Sequence, residues 1–395
     1  MTTSRKFCVY LMSVKFIRMN CIRLLILLLT ASCLLSCAGD AIRPGYDDQQ
    51  SGTAGSKPEV LKSQYFECPL TVGPSDDYIY GTLTGKTYSS KKQVRNYSFC
   101  YDVRRHNPMW VAYPCHNIYW EGGYTRPNPD PWRPNPDIDE EKQSVIYASD
   151  WEQWPWTDNN KKPSDIYNYW SMTTDGGVMV SKGHMMRSAE RGAGRTDVLF
   201  TMNEQSFYPT NINPERDRYV EVPDGNGKFN LSHWAIVEYL LPNKWRCSDT
   251  LYVVVGCWYD KDQHEAVDAS YWGRKSSRSK VCKVSAARYK AVLRTKKGNT
   301  GKRISDCTAD ELMSIAFWYP QCFDSQNVKT QIEPLAGMTI SVAELENRIG
   351  GDFRFFPDVP EKVKESYDVY DWPGLADVIN DPLNSSFDLS QIKQY

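Results

Sequence analysis

The stretch from Asn230 to Gly256 constrains the fold more than any other. Through NLSHWAIVEYLL, Trp234, Val237, Glu238 and Leu241 recur at helical spacing, which predicts a helix. Thr250-Leu-Tyr-Val-Val-Val-Gly256 then reads as a buried-type strand, rich in β-branched residues. Other segments add to this pair. YSFCYDVRRHNPMWVAY (97–113) has two aromatic and β-branched runs separated by Arg-Arg-His-Asn-Pro, as in a hairpin. GVMVSKGH (177–184) and ARYKAVLR (287–294) look like strands, and Leu199-Phe200 and Phe207 to Asn211 look extended. Residues 309–318 and 341–349 look helical. With no regular βα alternation, the class is mixed α+β.

The ends of the chain set its destination. Residues 1–36 carry Arg5, Lys6, Lys15, Arg18 and Arg23 and no acid, and contain the apolar run Leu24 to Leu29. A basic segment before a short apolar run is the pattern of a secretory signal. The run from Leu24 to Leu35 falls short of the ~20 residues of a membrane-spanning helix. Leu34-Leu35-Ser36-Cys37 resembles a bacterial lipobox. Cys37 is therefore expected to carry the lipid of an exported, membrane-anchored protein, on the periplasmic or cell-surface face of the outer membrane. Residues 37–60 read as a flexible tether, 61–360 as the folded domain, and 361–395 as a C-terminal tail. Eight cysteines remain beyond the signal and Cys37. An even set in an exported chain predicts disulfides, with the pairing open. No C-x-x-C pair exists to suggest zinc.

Residues 122–165 interrupt the domain. RPNPD occurs twice, and Trp132, Trp151, Trp154 and Trp156 stand among Pro and Asp. So much proline forbids a helix or an inner strand, which predicts a long surface insertion. Its aromatic residues suit either stapling onto the core or a platform for sugars.

Two motifs carry chemistry. Ser181-Lys182-Gly183-His184 places a glycine-preceded histidine at a strand end, with open approach to a water that the imidazole could activate. Asn230-x3-Trp234-x3-Glu238 puts an amide and a carboxylate on one side of a helix, two turns apart. Those oxygen donors suit a hard cation such as Mg2+, directly or through water. Taken singly, Asn230 fits a helix cap and Glu238 a solvated charge equally well.

In chain order, SKGH (181–184), RSAER (187–191), SFYPTNINPE (206–215), FNxxxWxxxE (229–238) and DTLYVVVG (249–256) resemble the DNA/RNA non-specific endonuclease family, of the ββα-metal or His-Me finger fold. YDVRRHNPMWVAY and LENRIGGDFRFFP (345–357) extend the resemblance over roughly residues 97–360. It implies a central, mainly antiparallel sheet flanked by helices. It also implies hydrolysis of DNA and RNA phosphodiesters to 5′-phosphate ends, with one Mg2+ per site and Mn2+ able to substitute. By position, His184 would be the general base, Asn230 the metal ligand, and Glu238 the residue orienting the metal's waters. Asn211 joins this catalytic group as a brace for the site. Lys182, Arg104, Arg187 and Arg191 would contact phosphate. The oligomeric state stays open, a homodimer included.

This chain departs from the family pattern at three positions. Ser181 stands for Asp, Lys182 for Arg, and Glu215 for Gln. Losing the Asp carboxylate is expected to weaken or reshape Mg2+ binding, and Lys lacks the bidentate fork of Arg. A catalytically impaired nucleic-acid-binding lipoprotein is therefore a second reading, and a glycan-binding surface lipoprotein a third.

The formal charge of −1 excludes a generally basic nucleic-acid coat protein, but it hides an uneven distribution. Arg274 to Arg303 holds twelve cations and no acid. Such a run predicts a patch that binds phosphate backbone without reading sequence.

Overall fold

The hairpin expected around Arg104 opens the central sheet. β1 (Tyr78–Gly85), β2 (Val94–Asp102) and β3 (Asn107–Cys115) pair antiparallel in that order. Buried Asp102 closes the β2–β3 turn: its carboxylate accepts from the Arg104 and Arg105 amides at 2.9 Å each and from the Arg105 guanidinium at 2.5 Å.

The computed structural model describes residues 60–61, 65–72, 75–90, 92–127, 131, 133–143, 172–173, 179–192, 202–216, 218–220, 228–230, 233–259, 266–267, 270–271, 274–275, 282–321, 335–351 and 353–380. The signal, Cys37, most of the tether, Leu199-Phe200 and the four tryptophans of the insertion lie outside them. After the hairpin come β4 (Met179–His184), β5 (Ile212–Arg216), α1 (His233–Leu240), β6 (Leu251–Trp258), β7 (Ala287–Thr295), β8 (Leu312–Pro320), β9 (Thr339–Ile340), α2 (Val342–Ile349), α3 (Glu361–Lys364) and α4 (Leu375–Val378). Seven strands form the sheet in the order β9-β8-β7-β6-β3-β2-β1, every neighbour antiparallel. The class is α+β, with a central antiparallel sheet flanked by helices. Among the described residues no helix is long and apolar enough to cross a membrane.

Alternation along the strands sorts side chains to two faces. On one face, Arg288 and Lys290 of β7 and Phe317 and Tyr319 of β8 meet α1 and the turn after it: Trp234 lies 6.2 Å from Tyr319 and Trp245 stacks at 6.0 Å on Phe317. On the other, Tyr289 lies 5.5 Å from Phe355, and Trp258 lies 5.3 Å from Trp318. Gly256 of β6 is glycine for this second face, since a Cβ would sit 2.0 Å from the facing Tyr289 ring.

Several expectations need correcting. Residues 309–318 are not helical: a 3-10 turn, Ala309–Glu311, leads into β8, where Leu312 to Phe317 are all buried. A run that is apolar on both faces carries no period to separate helix from strand. Phe207 to Asn211 is not extended but belongs to two 3-10 turns, Glu204–Phe207 and Pro209–Asn211, the second begun by a proline whose φ is preset. Residues 361–380 of the expected C-terminal tail pack on the domain. Trp372 is buried 4.9 Å from Trp245, whose indole donates to the Pro373 carbonyl at 3.0 Å. Residues 133–143 of the expected surface insertion pack inward: buried Asn135 and Gln143 bond each other at 2.8 Å, and Asn135 reaches Thr210 at 3.2 Å. Among the described residues Cys100, Cys115, Cys247, Cys257 and Cys307 are free thiols. Cys100, Cys115 and Cys257 are buried on strands, small apolar groups in the core rather than staples. Cys322 lies outside the described residues.

Candidate active site

β4 and β5 form a ribbon in which His184 faces Ile212, Gly183 faces Asn213, Lys182 faces Pro214 and Ser181 faces Glu215. His184 ends β4, half-buried, its ring edge-on to Phe207 at 4.9 Å. The chain after His184 is pinned by Asn211. The Met185 amide donates to the Asn211 carbonyl at 2.8 Å, and the Met186 amide donates to its Oδ1 at 2.9 Å. Asn211 Nδ2 donates to the carbonyls of Met186 and Ser206 at 2.7 and 2.8 Å. Asn211 is wholly buried, with both ends of its amide spent on backbone, so it braces the turn and does not reach out of it.

The helix supplies the second half. Trp234 is buried, and its Nε1 donates to Glu238 Oε1 at 2.8 Å. The other Glu238 oxygen lies 3.5 Å from Arg187 Nε, both side chains 13% exposed. From β7, Arg288 reaches beneath both halves. Its Nη2 donates to the His184 carbonyl at 2.8 Å, its Nη1 lies 2.7 Å from Glu215, and its Cζ sits 4.0 Å from the Trp234 ring centre. The Lys290 ammonium lies 4.5 Å from the same ring.

Three carboxylates, Glu190, Glu215 and Glu238, and three cations, Arg187, Arg288 and Lys290, thus share one layer. Burial pushes the Glu190 carboxyl up, opposed by Lys290. Burial likewise raises Glu215, opposed by Arg288, and lowers the Lys290 ammonium, opposed by Glu238 and Glu190. Two of the family departures, Ser181 and Glu215, prove to be cross-strand neighbours.

The structure therefore brings His184, Arg187, Asn211 and Glu238 together. Asn230 ends a short strand, Lys228–Asn230, paired with Arg218–Val220 just before α1, and Lys182 lies within β4. The side chains of Asn230, Lys182 and Ser181 lie outside the described residues. Arg104 stands in the β2–β3 turn, its Nε 3.2 Å from Asp77.

Arg191, expected on phosphate, is wholly buried. Its guanidinium donates to Asn96 Oδ1 at 2.7 Å and to the carbonyls of Glu190, Asn96 and Pro114 at 2.9, 2.8 and 3.1 Å. No face is left for a substrate. Five of the twelve cations of the expected basic patch are buried or ion-paired, Lys296 and Lys297 are exposed, and the side chains of Arg274, Lys275, Arg278 and Lys280 lie outside the described residues. Arg288, Lys290 and Arg294 point into the core, and Arg294 donates to the Trp245 carbonyl at 2.8 Å. Lys302 and Arg303 pair with Glu311 and Asp306. Period-two spacing in ARYKAVLR would have shown that its three cations share one strand face.

Among the described residues no three His, Cys, Asp or Glu side chains are grouped to hold a metal, and the hard oxygen donor that α1 itself offers is Glu238, bonded by Trp234. A carboxylate oxygen of this kind is a donor that a divalent cation such as Mg2+ accepts.

A family model, DNA/RNA non-specific endonuclease, matches residues 77–362. Among solved structures, a crystal structure titled as the EndoG/EndoGI complex and the mechanism of EndoG inhibition matches at 15% identity and a TM-score of 0.40, covering 68% of this chain and 85% of that one. No curated protein matches.

Proposed function

The chain belongs to the DNA/RNA non-specific endonuclease family, and from that premise we propose that it hydrolyses phosphodiester bonds of DNA and RNA with His184 as general base. The observation that supports this reading is that Arg288 of β7 bonds the His184 carbonyl and stacks on the Trp234 ring, whose indole in turn donates to Glu238. His184 Nε2 or Nδ1 accepts the proton of a water as its oxygen attacks phosphorus, and the bond to the 3′-oxygen breaks, leaving a 5′-phosphate. Asn211 fixes the backbone that follows the base. Arg187, partly exposed beside Glu238, offers charge to the phosphate.

Asn230, with Glu238 acting through water, would hold Mg2+. When bound, the metal offsets charge on the phosphorane-like transition state and the departing oxygen. The reading extends to location on sequence alone: an exported lipoprotein anchored through Cys37, tested by palmitate labelling that Cys37→Ser should abolish.

Plasmid nicking by the mature chain tests the activity. Wild type should nick in Mg2+ and stop in EDTA, while His184→Ala loses about 10²- to 10⁴-fold and still shifts DNA in a gel. If wild type and His184→Ala are equally inert, the hydrolase reading fails and a nucleic-acid-binding role replaces it.

A further inference from the structure

Arg288 touches all three pieces of the site at once. It bonds the backbone of β4 at His184, pairs with Glu215 of β5, and stacks on Trp234 of α1. Gly183 records how closely this pair is fitted: a Cβ there would lie 2.4 Å from Glu215 Oε2 and 3.3 Å from Arg288 Nη1. The residue before the histidine is therefore bare because the ion pair occupies the space beneath it. Arg288 itself is wholly buried, which excludes direct contact with a nucleic acid. Removing a guanidinium from water costs several kcal/mol, and here the groups that offset the cost are the elements that carry the chemistry.

We propose that Arg288, with Glu215, is a positioning pair that sets the His184 imidazole against Glu238 without touching substrate. The pair acts along two short paths. One runs through the His184 carbonyl, fixing the main chain from which the imidazole projects. The other runs through the Trp234 ring to the indole N–H that holds Glu238. Lysine could serve one path but not both, because it lacks the planar fork and the stacking face. The inference rests on the nuclease reading for its effect on rate, but the clamp itself is a structural property.

The test is a kinetic cycle on the mature chain with wild type, Arg288→Met, His184→Ala and the double variant, read as plasmid nicking in Mg2+. Hydrogen–deuterium exchange of peptides spanning 179–186 runs alongside. Arg288→Met should lower kcat about 10- to 100-fold, the cost of misplacing a reacting group by about 1 Å, with KM for DNA changed less than about threefold. In the His184→Ala background the same substitution should cost clearly less than in wild type, because the path to the base has nothing left to place and only the path to Glu238 is disturbed. Exchange of 179–186 should rise, while peptides of β6 hold. Glu215→Gln keeps an acceptor for Arg288 and should lose less than Arg288→Met.

Equal losses in both backgrounds would make Arg288 a general structural residue, and a raised KM would make it a substrate contact. Unchanged exchange overturns the clamp even if wild type cuts nothing, in which case the nuclease reading falls separately. Should Arg288→Met not fold, Glu215→Gln decides through the same peptides, and no change there overturns the pair.

Discussion

The indole of Trp234 donates to the carboxylate of Glu238 at 2.8 Å, one turn further along α1. The Trp-x3-Glu half of the motif thus serves a contact within the helix, while Asn230, expected on the same helix, ends the short strand before it. The ring that bonds Glu238 on its edge carries Arg288 and Lys290 against its surface, at 4.0 and 4.5 Å from its centre.

Trp234→Phe keeps a ring under the two cations but removes the donor. Cleavage should fall about tenfold as Glu238 loses one anchor, with stability changed by about 1 kcal/mol. Nicking rates beside thermal melts check this, and an unchanged rate would show that Arg187 alone suffices to hold the carboxylate.

Gly183→Ala should destabilise the protein by about 1–3 kcal/mol by overpacking. The new Cβ would fall 2.4 Å from the Glu215 carboxylate and 2.8 Å from its Cβ. Urea unfolding measures the cost, and a neutral result would mean that Glu215 swings away freely.

Arg191→Lys should cost about 3 kcal/mol, because one ammonium cannot replace donors to Asn96, Glu190 and Pro114. The salt dependence of DNA binding should not change, since no phosphate contact is lost. A shallower salt slope in the variant would return Arg191 to the substrate surface.

Asn211→Ala leaves the Met186 amide and the carbonyls of Met186 and Ser206 without their side-chain partner. Stability should drop by about 3 kcal/mol, and kcat should fall more than DNA affinity, because the turn after His184 loosens. Circular dichroism melts and gel shifts read the two effects separately.

Asp249 gives the fold an acid limit. Burial raises its carboxyl, but hydrogen bonds from Thr295 Oγ1, the Thr300 and Gly301 amides and Thr300 Oγ1 outweigh burial and hold it below the usual carboxylate value. With the folded value below the unfolded one of about 3.9, its stabilising contribution is full above about pH 4 and is lost as pH falls through the folded value. Asp249→Asn should therefore be less stable than wild type at pH 7, and the gap should narrow at pH 3. A gap independent of pH in urea titrations would show that the carboxylate charge is not what those donors hold.

The sequence by itself determined what depends on near neighbours along the chain. The hairpin around Arg104, the strand ending at His184, the helix carrying Trp234 and Glu238, and the buried β6 all follow from short-range spacing and side-chain shape. The order of the motifs was enough to identify the family. It could not say which way the cations of residues 274–303 face. A strand's two sides are chemically equivalent until another element covers one of them. Here the cover is α1, whose Trp234 meets Arg288 and Lys290 from far away in the chain. Arg191 met the same ambiguity: its local motif fits substrate contact and bracing alike, and burial against β2 and β3 assigned it to bracing. A charged side chain becomes a clamp or a binding group according to whether its partners exclude water, and only the tertiary arrangement supplies those partners.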